Sequence, residues 1–276
     1  MANDAPAPGE SPPGAPPNDW DAGFAEIYDA WTEASPVAAR DRPFYVGEYL
    51  RTVGPVVELG VGTGRIAVEA ARKGKAVTGV DSSARMLELC ARRAEAAGVA
   101  DRLTLIRADF RDFTLPEPAA LVALPHRTIV HLLTPEAKEA ALARIHAQLA
   151  PGGRVIFDAW VDRPEHDAPA LAGVPRLRAE WKDPRTGRET LLWETTITDR
   201  RARTVRLIAC LDELAPDGTV AARRYRRVTS SWFDPEEMQA WATAAGFEVE
   251  ALFGDWSRTP LYLDSTDQIW VLRKPG

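Results

Sequence analysis

Sulfur is sparse in this chain, which carries two cysteines and three methionines in 276 residues. Cys90 and Cys210 sit in apolar stretches without metal-ligand spacing. That excludes a disulfide framework and leaves buried free thiols in a reducing compartment as the expectation. Histidine is nearly as scarce, with four scattered at 126, 131, 146 and 166, so no metal motif is expected. Apolar runs long enough to cross a membrane are missing. The chain does not open on a basic segment followed by an apolar one, so a secretory signal is not expected and a cytoplasmic location is. Excess positive charge is lacking too: net charge is -6 and the pI about 5.4. Nucleic acid and anionic membrane are therefore poor candidates as partners. The local exception, Arg223-Arg224-Tyr225-Arg226-Arg227, reads as a solvated strand edge.

What is present is ordinary for a globular protein, with 45% hydrophobic and 27% charged residues. Residues 1–18 are dominated by Pro, Ala, Gly and Ser and are expected to be a disordered tail. From residue 19, Trp20, Phe24, Ile27, Tyr28 and Trp31 recur at helical spacing. Asp41 is placed to cap a second helix, with Pro43 in its first turn and Phe44, Val46, Tyr49 and Leu50 following.

The stretch Val56-Val57-Glu58-Leu59-Gly60-Val61-Gly62-Thr63-Gly64-Arg65 organises the chain. It reads as a buried strand, a glycine-rich turn and a helix, the helix running over 64–73. Glycine permits a left-handed backbone and a close ligand approach, and the free N–H groups of the helix face whatever sits on the turn. A dinucleotide fingerprint, G-x-G-x-x-G/A, would need a small residue where Arg65 stands. The pattern is instead E-x-G-x-G-x-G, starting at Glu58.

Further strands are expected over 76–80, 103–107, 121–124 and 154–160, alternating with helices. Asp81 ends the second of these strands and Asp109-Phe110 follows the third. Thr134-Pro135-Glu136 starts a helix that Pro151-Gly152-Gly153 ends. Four strand-like segments over 176–183, 189–198, 203–213 and 219–232 form an antiparallel insert. In its second strand Leu191, Trp193, Thr195 and Ile197 are taken as one face. Asp234-Pro235-Glu236-Glu237 starts a last helix, and two closing strands end near Phe253 and Arg273.

Motif E-x-G-x-G-x-G, with acids at successive strand tips, the Pro-Gly-Gly turn and the C-terminal strand pair, resembles the class I S-adenosylmethionine-dependent methyltransferases of small-molecule type. The resemblance covers roughly residues 20–276 except the variable insert. It implies an α/β, Rossmann-like, seven-stranded, mostly parallel sheet with helices on both faces. The four strand-like segments themselves are read as an antiparallel β lid inserted after the fifth strand. The implied domains are a methyltransferase core of 19–160 with 233–276 and a lid of 176–232. One departure is Ala119-Ala120, where the family usually has an acid before the fourth strand's apolar core.

By the same resemblance the cofactor is S-adenosylmethionine, leaving as S-adenosylhomocysteine. The implied cofactor residues are Glu58, Gly60, Gly62, Gly64, Asp81, Ser82, Met86, Asp109, Phe110 and Leu124. Asp81 would take both ribose hydroxyls, and Asp109 with Phe110 the adenine. Tyr28 would lie near the sulfonium, and His126 is the candidate general base. Arg127, Trp193 and Tyr225 are candidate acceptor contacts. Plainer readings stay open: Asp81 as a helix cap, Tyr28 as a core aromatic, His126 as a polar loop residue. No metal is implied.

The expected activity is methyl transfer to a nitrogen or oxygen of a small molecule, in bacterial specialised metabolism. Leu124-Pro125-His126-Arg127 replaces the Asn-Pro-Pro-Tyr type step, which argues against a nucleic-acid or protein substrate. The alternative is a protein that binds the same cofactor but does other chemistry, such as a cyclase or a binding module. Oligomeric state is left open, a homodimer included.

Overall fold

The structure is a computed structural model that describes residues 25–33, 36–162, 173–183 and 186–276. The expected disordered tail, Trp20 and Phe24 of the first helical pattern, most of the loop over 161–175, and Pro184 and Arg185 of the first insert turn lie outside the described residues. The chain divides into two compact units, one comprising 20–164 with 232–276 and the other containing 165–231.

The larger unit opens with α1 (Ala25–Glu33) and α2 (Pro36–Arg51). Then β1 (Val56–Leu59), α3 (Ala67–Arg72), β2 (Val77–Asp81), α4 (Ala84–Ala96), β3 (Leu103–Arg107), β4 (Ala119–Leu124), α5 (Pro135–Gln148) and β5 (Leu149–Trp160) follow. After the second unit's four strands, β6 (Arg176–Lys182), β7 (Glu189–Asp199), β8 (Thr204–Leu214) and β9 (Val220–Ser231), the first resumes with α6 (Pro235–Ala244), β10 (Glu248–Phe253) and β11 (Asp267–Arg273). Its sheet has the order β10-β11-β5-β4-β1-β2-β3. β1 to β5 run parallel, while β11 is antiparallel to both β5 and β10. Strand order reverses at β1, between β2 and β4, and in open sheets of this kind ligands bind beyond the carboxyl ends of the strands at that point.

Apolar runs explain the central strands. All four residues of β1 are buried, and Leu121, Val122, Ala123 and Leu124 of β4 have no exposed surface. A strand covered on both faces needs such a run. Helix starts follow cap chemistry. Ser83 accepts from the Met86 N–H at 3.1 Å, Thr134 accepts from the Ala137 N–H at 3.2 Å, and Asp234 with Glu237 forms a reciprocal capping box. No helix among the described residues is long and apolar enough to cross a membrane.

Two helices differ from the sequence expectation. α3 begins at Ala67 because Gly64 has φ +78°, outside the helical region. α2 begins at Pro36, so Asp41 lies inside it and Pro43 is interior. Asp41 does not cap its helix; its carboxylate is buried and committed to partners on other elements.

The smaller unit is an antiparallel sheet in the order β6-β7-β8-β9. Its β7 buries Thr190 and Leu192, whereas Ile197 is exposed and Leu191 and Trp193 are half-buried. Leu192 pairs with Leu211 on the buried face. The phase is thus opposite to the expected one. Leu191, Leu192 and Trp193 supply apolar residues to both faces, and alternation alone could not choose between them. Trp193, Cys210 and Tyr225 stand in one row across β7, β8 and β9. Cys210 is half-buried there rather than buried. The basic run lies on edge strand β9, with Arg223 bonded to Asp212 at 2.5 and 2.7 Å and Arg224 paired with Glu213.

Candidate functional site

The glycine turn links β1 to α3, and its glycines have φ of +68° (Gly60), +54° (Gly62) and +78° (Gly64). Two of them are also required by space. A Cβ on Gly60 would lie 2.6 Å from the Thr128 methyl, and one on Gly64 would lie 2.6 Å from Cys90 Sγ. Gly62 is different: a Cβ there would meet the Tyr28 ring at 3.7 Å, an ordinary contact. Tyr28, on α1, thus lies over the middle of the turn. α1 is held there by Asp29, which accepts from Thr63 Oγ1 at 2.7 Å and pairs with Arg93 of α4. Arg93 also donates to the Thr63 carbonyl at 3.1 Å.

Asp81 stands at the tip of β2. The Gly62 N–H donates to its Oδ2 and the Ser83 N–H to its Oδ1, both at 2.9 Å. Two backbone N–H groups, one from the glycine turn and one from the start of α4, thus orient the carboxylate. Ser82 is exposed and Met86 buried, and the helix cap itself is Ser83. Glu58 is buried beneath the turn and accepts from the Tyr49 hydroxyl at 3.0 Å. Asp109, beyond β3, is gripped by Arg111 at 2.8 and 2.6 Å, and Phe110 packs against the main core. Leu124 has no exposed surface.

The loop after β4 is strained. His126 and Arg127 are consecutive non-glycine residues with φ of +57° and +62°. Such backbone costs on the order of 1–3 kcal/mol per residue and persists where surrounding contacts over-determine it. Those contacts are present. The Arg127 N–H donates to Asp158 Oδ2 at 3.0 Å, and Tyr45 donates to the other oxygen of Asp158 at 2.7 Å. The Arg127 guanidinium reaches Asp267 at 2.7 Å and lies 5.7 Å from the centre of the Trp160 ring. His126 Nδ1 lies 3.0 Å from Asp41 Oδ2, and the same carboxylate holds Arg65 through two bonds of 2.7 and 2.6 Å. Trp31 meets the His126 ring edge-on at 6.2 Å and Tyr28 at 6.1 Å. An aromatic line therefore runs from the glycine turn to His126.

Burial sets the protonation states. It lowers the His126 pKa, with Arg65 and Arg127 acting the same way, so the imidazole is neutral near pH 7. Asp41 stays ionised, since bonds from His126 and Arg65 outweigh its burial. Desolvation raises Tyr28 to about 12 and Cys90 to about 12. Burial also lifts Glu58 to about 8 and Asp158 to about 7.

The larger unit therefore brings together Tyr28, the glycine turn, Asp81, His126 and Arg127. Trp193 and Tyr225 belong to the antiparallel unit and share its row. Sequence reading missed Asp41, Asp158 and Thr128, because their partners are distant in sequence. Arg65 was the available signal, since a buried arginine demands an anion.

Comparison with known proteins places this geometry. A family model described as a methyltransferase domain matches residues 56–153. A methyltransferase of Geobacillus kaustophilus is 34% identical over 140 residues, 49% of this chain and 62% of its own length. One from Anoxybacillus flavithermus is 30% identical over 164 residues, covering 52% of this chain and 72% of that protein. The chain belongs to the class I S-adenosylmethionine-dependent methyltransferases. It spans about three-fifths of the first curated relatives it matches, 62% of the Geobacillus kaustophilus protein and 62% of one from Geobacillus thermodenitrificans. The cypemycin N-terminal methyltransferase of a Streptomyces species is 26% identical over 79% of this chain and 82% of its own. The fold is shared with the CcbJ methyltransferase of Streptomyces caelestis, at TM-score 0.78 and 22% identity, covering 94% of this chain and 99% of that one. It is also shared with the sugar N-methyltransferase KedS8 of Streptoalloteichus, at TM-score 0.69 and 18% identity, covering 99% and 100%.

Two outcomes follow from the packing and the titrations. Gly62→Ala should cost about 1–2 kcal/mol, the penalty of a left-handed non-glycine backbone. Gly64→Ala should cost about 1–3 kcal/mol more, because its methyl also collides with Cys90 and Val68. Urea unfolding of the two variants orders them, and equal losses would contradict the packing. Glu58 and Asp158 have folded-state pKa values raised from 4.5 to about 8 and from 3.8 to about 7. The folded state then binds the extra protons, so their stabilising contribution is full below the unfolded values and declines as pH rises through those windows. The melting temperature of the ligand-free protein should fall between about pH 5 and about pH 8, and Glu58→Gln should flatten that slope.

Proposed function

We propose that this protein transfers the methyl group of S-adenosylmethionine to a nitrogen or oxygen of a small-molecule acceptor in bacterial specialised metabolism. The observation that carries this reading is the Asp81 carboxylate. One of its oxygens is held by the Gly62 N–H and the other by the Ser83 N–H, at the mouth of a glycine turn roofed by Tyr28. That arrangement suits a ribose diol and a compact methionine chain.

The acceptor side rests on the loop after β4. Methyl transfer is an in-line displacement in which the sulfonium loses its charge, so positioning and exclusion of water supply most of the catalysis. As the sulfur–methyl bond breaks, its electron pair returns to sulfur and the acceptor's lone pair forms the new bond. An amine or hydroxyl acceptor must also release a proton, and the neutral state of His126 together with its contact to Asp41 supports reading it as the group that takes it. The names of the cypemycin N-terminal and sugar N-methyltransferases support an amine among the acceptors. Arg127 is a poor partner for an acceptor carboxylate while it is committed to Asp267.

S-adenosylmethionine should raise the melting temperature of the wild-type protein. Asp81→Ala removes hydrogen bonds worth about 1.5–3 kcal/mol each when the acceptor is charged, and should weaken the cofactor at least about tenfold. Absence of a shift in the wild type would overturn the cofactor assignment. Labelled methyl should then appear in a small amine, amino sugar or hydroxylated acceptor. Binding without transfer to any of them would favour other chemistry on the same cofactor.

A further inference from the structure

The Asp41 carboxylate has no exposed surface, and the side chains around it are nearly as closed: Arg65 at 8% and His126 at 12%. It joins three elements. Asp41 comes from α2, Arg65 follows the last glycine of the turn, and His126 stands on the strained loop after β4. A buried carboxylate beside one guanidinium would already be neutralised by its two bonds of 2.7 and 2.6 Å. The further approach of His126 Nδ1 to Oδ2, at 3.0 Å, therefore fixes the imidazole rather than balancing charge. An ionised carboxylate only accepts hydrogen bonds, so Nδ1 must carry the proton. In a neutral ring that leaves the lone pair on Nε2.

We infer that Asp41 is the positioning residue of methyl transfer: it locks His126 in the Nδ1–H tautomer and presents Nε2 to the acceptor's proton. Arg65 completes the device by holding Asp41 in place and ionised from the glycine turn, so cofactor loop and proton acceptor share one carboxylate. This deepens the proposed methyl-transfer reading and rests on it. The step balances simply: the acceptor nitrogen or oxygen gains the methyl, sulfur regains its electron pair, and the displaced proton moves to Nε2.

The groups that bear on this titration come from several elements. Asp41 favours imidazolium, whereas Arg65 from the turn and Arg127 from the loop oppose it. Tyr28 of α1, Tyr45 of α2 and Asp158 of β5 feel the Asp41 charge in turn. Removing the Asp41 charge should therefore lower the His126 pKa further.

Nitrogen NMR of full-length, histidine-labelled protein reads the tautomer without any acceptor. The wild type should show the Nδ1–H form at His126, assigned by its loss in His126→Gln. Asp41→Asn should erode that preference. An Nε2–H wild type would overturn the inference even if Asp41→Asn fails to fold, as would an Asp41→Asn protein with unchanged tautomer. In the transfer assay, Asp41→Asn should slow turnover at least about tenfold and move the acidic limb of the pH profile to lower pH. In a His126→Ala background the same substitution should change the rate less than about twofold. Equal losses in both backgrounds, with no displacement of the pH profile, would make Asp41 a structural clamp and overturn its role through His126. A wild type that transfers no methyl but shows the Nδ1–H tautomer would count against the proposed function alone.

Discussion

Charge removed from water must find a partner, and in this protein that requirement shapes the mouth of the parallel sheet. Arg65 occupies a position where a dinucleotide fold would keep a small side chain. Its guanidinium cannot be left buried and unpaired, so α2 brings Asp41 to it. Placing Asp41 there fixes α2 against the turn, and α2 carries Tyr45 and Tyr49 to the buried acids Asp158 and Glu58. Asp158 in turn holds the backbone of Arg127. The strained loop, the glycine turn and the second helix are thus parts of one electrostatic solution.

The same helix is secured at its other end by Glu48. This buried carboxylate pairs with Arg51 of α2 and Arg258 of the β10–β11 connection, and reaches Arg154 of β5 at 3.5 Å. Arg258 lies over the rings of Phe44 and Phe253. Two buried acids on one helix therefore define its position, with one facing the site and the other the antiparallel edge of the sheet.

Much of this fold is legible in the sequence because its signals are local. The buried run 56–59, the glycines after it, the acid ending β2 and the caps at Thr134 and Asp234 each depend on neighbours within a few residues. What stayed hidden depends on distant partners. Asp41 looks like a cap until Arg65 and His126 arrive from elsewhere in the chain. Thr128 gives no hint in sequence that its methyl fills the space above Gly60. The faces of β7 were misassigned because three adjacent apolar residues satisfy either phase. Asp109, assigned to the adenine by resemblance, with a local Asx-turn as the plainer reading, does make that turn: its Oδ1 accepts from the Arg111 N–H at 2.8 Å.

The contact between Gly64 and Cys90 has a chemical consequence as well as a steric one. A sulfonium methyl donor is an electrophile, and a thiolate is the side chain most prone to attack it. Cys90 lies directly beneath the turn assigned to that donor. Desolvation keeps its sulfur protonated, with a pKa of about 12, and the turn packs over it. The sulfur packed against Gly64 is therefore held as the thiol, the less nucleophilic of its two forms.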